Sequence, residues 1–278
     1  MKTTFSLASL LLVLVLLLPG CDREPALVRQ ARKTEAIGAL GRAFLKSVEA
    51  EKSAVLATTD EASERFAGES RQAAAEVERL TRVLEGLVAQ DGRSAEAEGL
   101  RAFAAAWRAV AAIDAQLLPL AVANTNLKAA HLSTHAGAAA LERLLGDLQA
   151  REASARDPAR LRALSRAAVA ALTIQTLHAP HIAAAADAEM TALEGRIVAL
   201  EAVVDGTLAA EPAAEDARAA WAEYRAATVE VLRLSRENTN VRSFALSVHE
   251  KRDASLACEA ALQALVTEVQ DPGPQPTR

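Results

Sequence analysis

The sequence predicts an all-α protein of two tandem antiparallel four-helix bundles, about eight helices running up-down-up-down. Three observations predict it. First, Asn124-Thr125-Asn126 recurs as Asn238-Thr239-Asn240, and the surroundings recur too. Trp107 matches Trp221, Leu132-Ser133 matches Leu246-Ser247 and His135 matches His249, always 114 residues apart. A fixed period means one structural unit used twice. Second, 51% of the residues are hydrophobic but only 3% aromatic. That mix, rich in alanine and leucine, favours helices meeting along narrow seams. Third, apolar residues step by three and four over long stretches, the period of a helix with one buried face.

Met1-Lys2 and a leucine-rich run from Phe5 to Leu18 open the chain, and Leu18-Pro19-Gly20-Cys21 closes the run. It is short for a bilayer span and right for a signal-peptide core. Gly-Cys after such a core resembles a bacterial lipoprotein cleavage box, although Pro19 stands where Ala, Ser or Thr is usual. The resemblance implies a signal peptide over 1–20, lipidation at Cys21 and a linker over 21–26. It implies a body in the periplasm held to a bacterial membrane by its N-terminal lipid. Each buried acyl methylene contributes about 0.8 kcal/mol, so two or more chains anchor stably. An ordinary signal peptide or an uncleaved anchor is the other reading. No later segment is expected to cross a membrane. Cys258 is then the one remaining cysteine, which rules out an intrachain disulfide and suggests a small packed side chain.

The first bundle is expected over 27–153. Ile37, Leu40, Phe44, Val48 and Val55 mark its first seam. Phe66, Ser70, Ala73, Val77, Leu80, Leu84 and Leu87 mark the second, with Asp60 as a capping residue. Leu100, Phe103, Trp107, Val110, Asp114, Leu117 and Ala121 mark the third. Leu127, His131, Thr134, Ala138, Leu141, Leu145 and Leu148 mark the fourth. Breaks fall near 58–60, 90–93 and 122–125, and short connections imply antiparallel neighbours. Asp157-Pro158 reads as an N-cap followed by proline at the first helical position, so the second bundle is expected over 157–270. Its first helix should end near His178-Ala179-Pro180-His181. Met190, Leu193, Ile197 and Val204 mark its second, and Trp221, Tyr224, Thr228, Val231 and Ser235 its third. The fourth should begin near Asn238. Residues 271–278 carry three prolines and read as a disordered tail. The segment 150–158 should decide the arrangement: a tight reversal sets the bundles side by side, a continuous helix stacks them.

Leu234-Ser235, Asn238-Thr239-Asn240-Val241-Arg242-Ser243 and Leu246-Ser247 together resemble the final helix of the four-helix-bundle sensor domain of methyl-accepting chemotaxis proteins. Leu56-Ala57-Thr58-Thr59-Asp60-Glu61 is similar to a helical turn of that domain, and His178-Ala179-Pro180-His181-Ile182 with Met190 to the matching region of a second copy. The resemblance spans residues 27–270. It implies an extracytoplasmic domain that binds a small molecule or a periplasmic binding protein. A chemoreceptor continues into a second membrane span and a signalling rod. Neither pattern follows Gln270, so a separate membrane signalling protein, such as a chemoreceptor, is the expected partner. The alternative is a structural or protein-interaction envelope lipoprotein with no small-molecule site.

Asn124, Asn126, Asn238 and Asn240 lie where the third helix of each unit gives way to the fourth. They are candidates for ligand contact, with capping or inter-helix bonding as the plainer role. Lys128 and Arg242 are matched cations beside them. Asp114 lies on an apolar stripe, where a charge is costly unless paired. If the chain reverses near residue 123, Asp114 faces His131 and His135, a set able to hold a metal or titrate together. His135 is matched by His249, and His178, His181 and His249 could converge at one end of the second bundle. Arg252 and Glu259 fall on the stripe, which suggests Arg252 as a counter-ion for an acidic ligand. The net charge of −5 with no basic stripe excludes nucleic acid. No haem-attachment, di-iron, nucleophile–base or phosphate-loop pattern is present, so neither an enzyme nor a cofactor is expected.

Overall fold

The computed structural model describes residues 25–91 and 93–270. The expected signal peptide, Cys21 and the tail lie outside that range. Helices α1 (Ala26–Leu56) and α2 (Asp60–Asp91) are followed by α3 (Ser94–Ala123). A single residue then separates α3 from α4 (Thr125–Leu132), which passes through a π-helical turn (Ser133–Gly137) into α5 (Ala138–Ser154). Next come α6 (Pro158–Ala183), α7 (Asp187–Ala210) and α8 (Glu215–Glu237). One residue later follow α9 (Thr239–Leu246), a second π-helical turn (Ser247–Lys251) and α10 (Arg252–Gln270). Counted as continuous rods, these are six helices, two of them long: α3–α5 and α8–α10.

The helix ends follow from local chemistry. Thr59, not Asp60, caps α2, its hydroxyl accepting the Ala62 N–H at 3.2 Å. Asp60 sits one residue further in, with the helix N-terminus. Asp157 caps α6, its carboxylate accepting from Ala159 and Arg160, and Pro158 begins the helix without wasting a backbone donor. The helix continues past Pro180 to Ala183, two residues beyond the expected stretch, and carries His181 inward.

The expected reversals near residues 123 and 238 do not occur. Asn124 and Asn238 each adopt a left-handed conformation, φ 51° and 53°, and the helix resumes at the next residue. Asparagine enters this region at less cost than most residues. The two long helices therefore run side by side in one antiparallel register. Leu265 approaches Gly99, Lys251 meets Asp114, Thr239 meets Thr125, Ala227 approaches Gly137, and Glu223 meets Arg143. Each step forward along one is a step back along the other.

The remaining helices sort onto the two ends of this pair. The terminal half gathers α1, α2, α3 and α9–α10 around Leu40, Phe44, Leu84, Phe103, Trp107 and Cys258. The central half gathers α4–α5, α6, α7 and α8 around Leu144, Leu148, Leu164, Ile174, Trp221 and Tyr224. The fourth helix of each sequence repeat thus packs with the three helices of the other repeat. A tight reversal does occur at 155–157, yet the halves lie one beyond the other, because positions 124 and 238 set the arrangement.

Each half is latched at its far end by a buried glutamate. Glu96 and Lys33 are both fully buried, paired at 2.8 Å, with Asp91 2.7 Å from the lysine and Arg93 2.6 Å from the glutamate. In the central half Glu211 takes Arg160 at 2.9 Å through two hydrogen bonds. Among the described residues one helix, Ser94–Ser154, is long and apolar enough to cross a membrane by length and composition, contrary to the expectation from sequence. Its apolar stripe is the seam of both halves and carries buried Asp114.

Candidate functional site

At the midpoint of the long pair, the two asparagine triplets meet each other. Thr125 N–H donates to the Thr239 hydroxyl at 3.0 Å, and Thr239 N–H to the Thr125 hydroxyl at 3.2 Å. Asn126 N–H donates to Asn240 Oδ1, and Asn240 N–H to Asn126 Oδ1, both at 3.1 Å. Asn126 Nδ2 reaches Asn238 Oδ1, and Asn240 Nδ2 reaches Asn124 Oδ1, both at 2.9 Å. The leading N–H groups of α4 and α9, unsatisfied by their own helices, are thus bonded by the opposite triplet. Asn126 and Asn238 also hold the end of α6 through the carbonyls of Ile182 and Ala184. Lys128 and Arg242 play matched parts, donating back to the carbonyls of Ala123 and Glu237, and Lys128 also meets Asp60 at 3.2 Å. The four asparagines form a fastening between the two long helices, while Lys128 and Arg242 stay exposed at its edge.

About two turns of helix beyond this knot, on each side, lies a π-helical turn and a buried polar centre. A π turn holds one extra residue, and such turns are frequent at functional sites. In the terminal half, Lys251 pairs with Asp114, and both are buried. Glu51 of α1 is fully buried close by, and neither of its oxygens has a protein partner of normal hydrogen-bond geometry. Burial pushes the Glu51 carboxyl above the usual carboxylate range, although the nearby Ser247 hydroxyl and Lys251 pull it down. Burial raises Asp114 as well, with Lys251 opposing. Asp114 Oδ2 and the Ser47 hydroxyl are also unpartnered by protein.

The corresponding place in the central half is built differently. Thr228 stands at the repeat position of Asp114, and Gly137 at that of Lys251. Ser133, the repeat mate of Ser247, lies 2.8 Å from Nδ1 of buried His178. Tyr224 O–H donates to Gln175 Oε1 at 3.2 Å, Gln175 Nε2 donates to Ser133 Oγ at 3.1 Å, and Ser133 Oγ shares a hydrogen bond with His178 Nδ1. His178 Nε2 has no hydrogen-bond partner, and neither has the Thr228 hydroxyl. Burial lowers the His178 pKa to about 4, with His181 adding to the effect, so the ring is neutral at neutral pH. The terminal centre offers buried carboxylate oxygens and the central centre an imidazole nitrogen and a hydroxyl.

Beside it, Ser235, His181 and Glu194 form a row. His181 Nδ1 lies 2.8 Å from Ser235 Oγ and its Nε2 lies 3.0 Å from Glu194. The Ser235 hydroxyl is fully buried and donates to the His181 carbonyl at 2.9 Å. Its proton is committed to the backbone, so the row ties α6, α7 and α8 together. Arg236 completes it and holds the Glu194 carboxyl below the usual range.

Several expectations are corrected. Asp114 does not face His131 and His135. Those two are exposed and stack on each other at 4.0 Å, while Asp114 meets Lys251 from the other repeat. Among the described residues no three His, Cys, Asp or Glu side chains are grouped as a metal site. His178 and His181 are buried in the central half, whereas His249 is exposed in the terminal half, so the three do not converge. Arg252 and Glu259 are exposed, because the extra residue of the π turn rotates the buried stripe onto Lys251, Cys258 and Leu265. The same rotation exposes His131 and Thr134. Arg252 and Lys52 border a groove of about 240 Å³ with Ser247 among its walls. Arg242 and His249 border a wider, open one of about 530 Å³. Sequence reasoning missed Glu51, Lys251 and Ser133. Lys251 was visible as a cation one residue from the assigned stripe.

In comparisons with known proteins, the chain matches no family model, no curated protein and no solved structure.

Proposed function

We propose that this chain is a lipid-anchored extracytoplasmic sensor-type module of two four-helix bundles, and that it binds a small molecule or a protein and acts with a separate membrane signalling partner. The anchor is supported by the leucine-rich run ending at Cys21. The sensing role is carried by one observation: each half holds, at its π turn, buried polar atoms unsatisfied by protein, Glu51 and Asp114 in one and His178 and Thr228 in the other. Such atoms cost about 1–3 kcal/mol each when unpaired. A structural bundle gains by replacing them with alanine or leucine, whereas a binding module retains them. The two centres share a pair of long helices, so a small displacement at one has a rigid path to the other.

The test is a thermal-denaturation screen of the mature body against a metabolite library. A ligand at a hundred times its Kd should stabilise the fold by about 2.7 kcal/mol. A melting temperature that no ligand moves rejects the reading. An envelope-docking role is favoured by a groove of about 340 Å³ between α1 and α10, walled by Ile37, Phe44, Leu262 and Val266. Cross-linking from intact membranes that captures one stoichiometric protein, together with a blank ligand screen, would favour docking.

A further inference from the structure

The two tryptophans of the chain occupy the same place in the two repeats but have different company. Trp221 donates its indole N–H to Asp205 Oδ1 at 2.6 Å. Arg225 approaches both oxygens of that carboxylate at 3.4 Å and lies over the Trp221 ring at 5.9 Å. The central half thus shows an indole N–H and a guanidinium holding a carboxylate between α7 and α8.

Trp107, 114 residues earlier, is 4% exposed, and its Nε1 has no hydrogen-bond partner. The α2 residues that could stand opposite Trp107 follow from the spacing on α7. Asp205 follows buried Val204 and precedes buried Leu208 on α7. On α2, Thr81 follows buried Leu80 and precedes buried Leu84 in the same spacing. Glu85 has the same spacing but is exposed; Thr81 is the buried α2 residue that shares the groove wall with Trp107, and its hydroxyl donates to the Val77 carbonyl at 2.8 Å. No carboxylate from the protein reaches Trp107.

A groove of about 780 Å³ lies at this point between α2 and α3, and Thr81 and Trp107 are among its walls. Val88 and Leu100 line its apolar part. Arg82, Arg93, Arg101 and Arg108 outnumber Glu78 and Glu85 along it. Arg93 is engaged by Glu96, while Arg82 and Arg108 are sequence neighbours of Thr81 and Trp107, and Arg108 gives only its Nε to the Ala104 carbonyl at 3.3 Å. From Trp107 back to Ala97 the helix rises about 15 Å, enough for a medium acyl chain.

We propose that this groove binds an acyl-chain carboxylate. The ligand carboxylate takes the place of the absent aspartate, accepting from Trp107 Nε1 and pairing with Arg82 and Arg108. The chain lies along Val88 and Leu100. The site deepens the small-molecule arm of the reading above and rests on that arm only. It stands apart from the π-turn centres and needs no signalling partner.

The test uses octanoate as the probe, with octanol and acetate as controls. Trp221→Phe leaves Trp107 as the single tryptophan, so its emission reports the site directly, and calorimetric titration of the unaltered protein repeats the measurement without any substitution. Octanoate should change the emission saturably, with a Kd below about 1 mM. Octanol, lacking charge, and acetate, lacking a chain, should each bind at least tenfold more weakly. Arg82→Gln and Arg108→Gln, on exposed side chains, should each weaken octanoate several-fold and leave the melting temperature unchanged. Thr81→Asp should supply the carboxylate internally, abolish octanoate binding and raise the melting temperature. Absence of saturable binding overturns the proposal, as does octanol binding as tightly as octanoate or Thr81→Asp binding undiminished. A ligand screen that finds stabilisers while octanoate fails would remove this site and leave the sensor reading in place.

Discussion

Lys251 shows how much one residue carries. It is the buried cation facing two buried carboxylates, so Lys251→Met should destabilise the fold by about 3–5 kcal/mol. Pairing it with Asp114→Asn should recover a large part of the loss in denaturant titrations. A loss below about 1 kcal/mol would mean that the pair is not buried in solution. The pH dependence divides by half. His178 has a folded pKa near 4 against 6.5 unfolded, so the unfolded chain binds more protons between these values. Stability from this group is present above pH 6.5 and is lost as pH falls towards 4, by up to about 3 kcal/mol. His178→Gln should flatten that slope. Glu51 acts oppositely. Its raised pKa favours folding in acid and costs stability as pH rises, so Glu51→Gln should be more stable than the parent at neutral pH and lose that advantage in acid. Burial pushes the Cys258 thiol up to about 12, and a thiol reagent should label it only after unfolding.

At the scale of the element, the asparagine knot should behave as a unit. Asn126→Ala and Asn240→Ala each remove bonds to the same opposite triplet, so their costs should be non-additive by about 0.5–3 kcal/mol in a double-mutant cycle. Strict additivity would show that the two triplets do not sense each other. This scale is also where the sequence was most and least informative. The stripes of α1, α2 and α3 were legible because each is an unbroken run of helical spacing, and Leu100 to Ala121 is buried as read. The fourth stripe was misread for two physical reasons. A π turn adds one residue and rotates the face, which no count of threes and fours anticipates. A single left-handed asparagine also leaves no composition signal distinguishing a nick in a helix from a reversal. The available clue was length: helix–helix connections take about 2–8 residues, and no glycine adjoins Asn124 or Asn238. The functional centres were half legible. Asp114 stood out as a charge on an apolar seam, but its partner lay in the other repeat.

For the whole molecule, folding units and sequence repeats do not coincide. The central half is one continuous stretch, residues 125–237, whereas the terminal half is assembled from 26–123 and 239–270. A fragment spanning 124–238 should melt cooperatively by circular dichroism. A fragment spanning the first repeat, 25–156, lacks the helix that closes its own seam and should be less helical per residue and prone to associate. The reverse ranking would mean that the fourth helices do not exchange.

That exchange gives the chain a parentage. Were the joint at 155–157 opened, each product would hold three helices and one arm lent to its neighbour, the pattern of a swapped dimer. The chain reads as such a dimer spliced into one polypeptide, with the asparagine knot on its former two-fold axis. Two first repeats meeting in this way would set Asp114 opposite Gly137, so the buried carboxylate would lack the cation it now finds in Lys251.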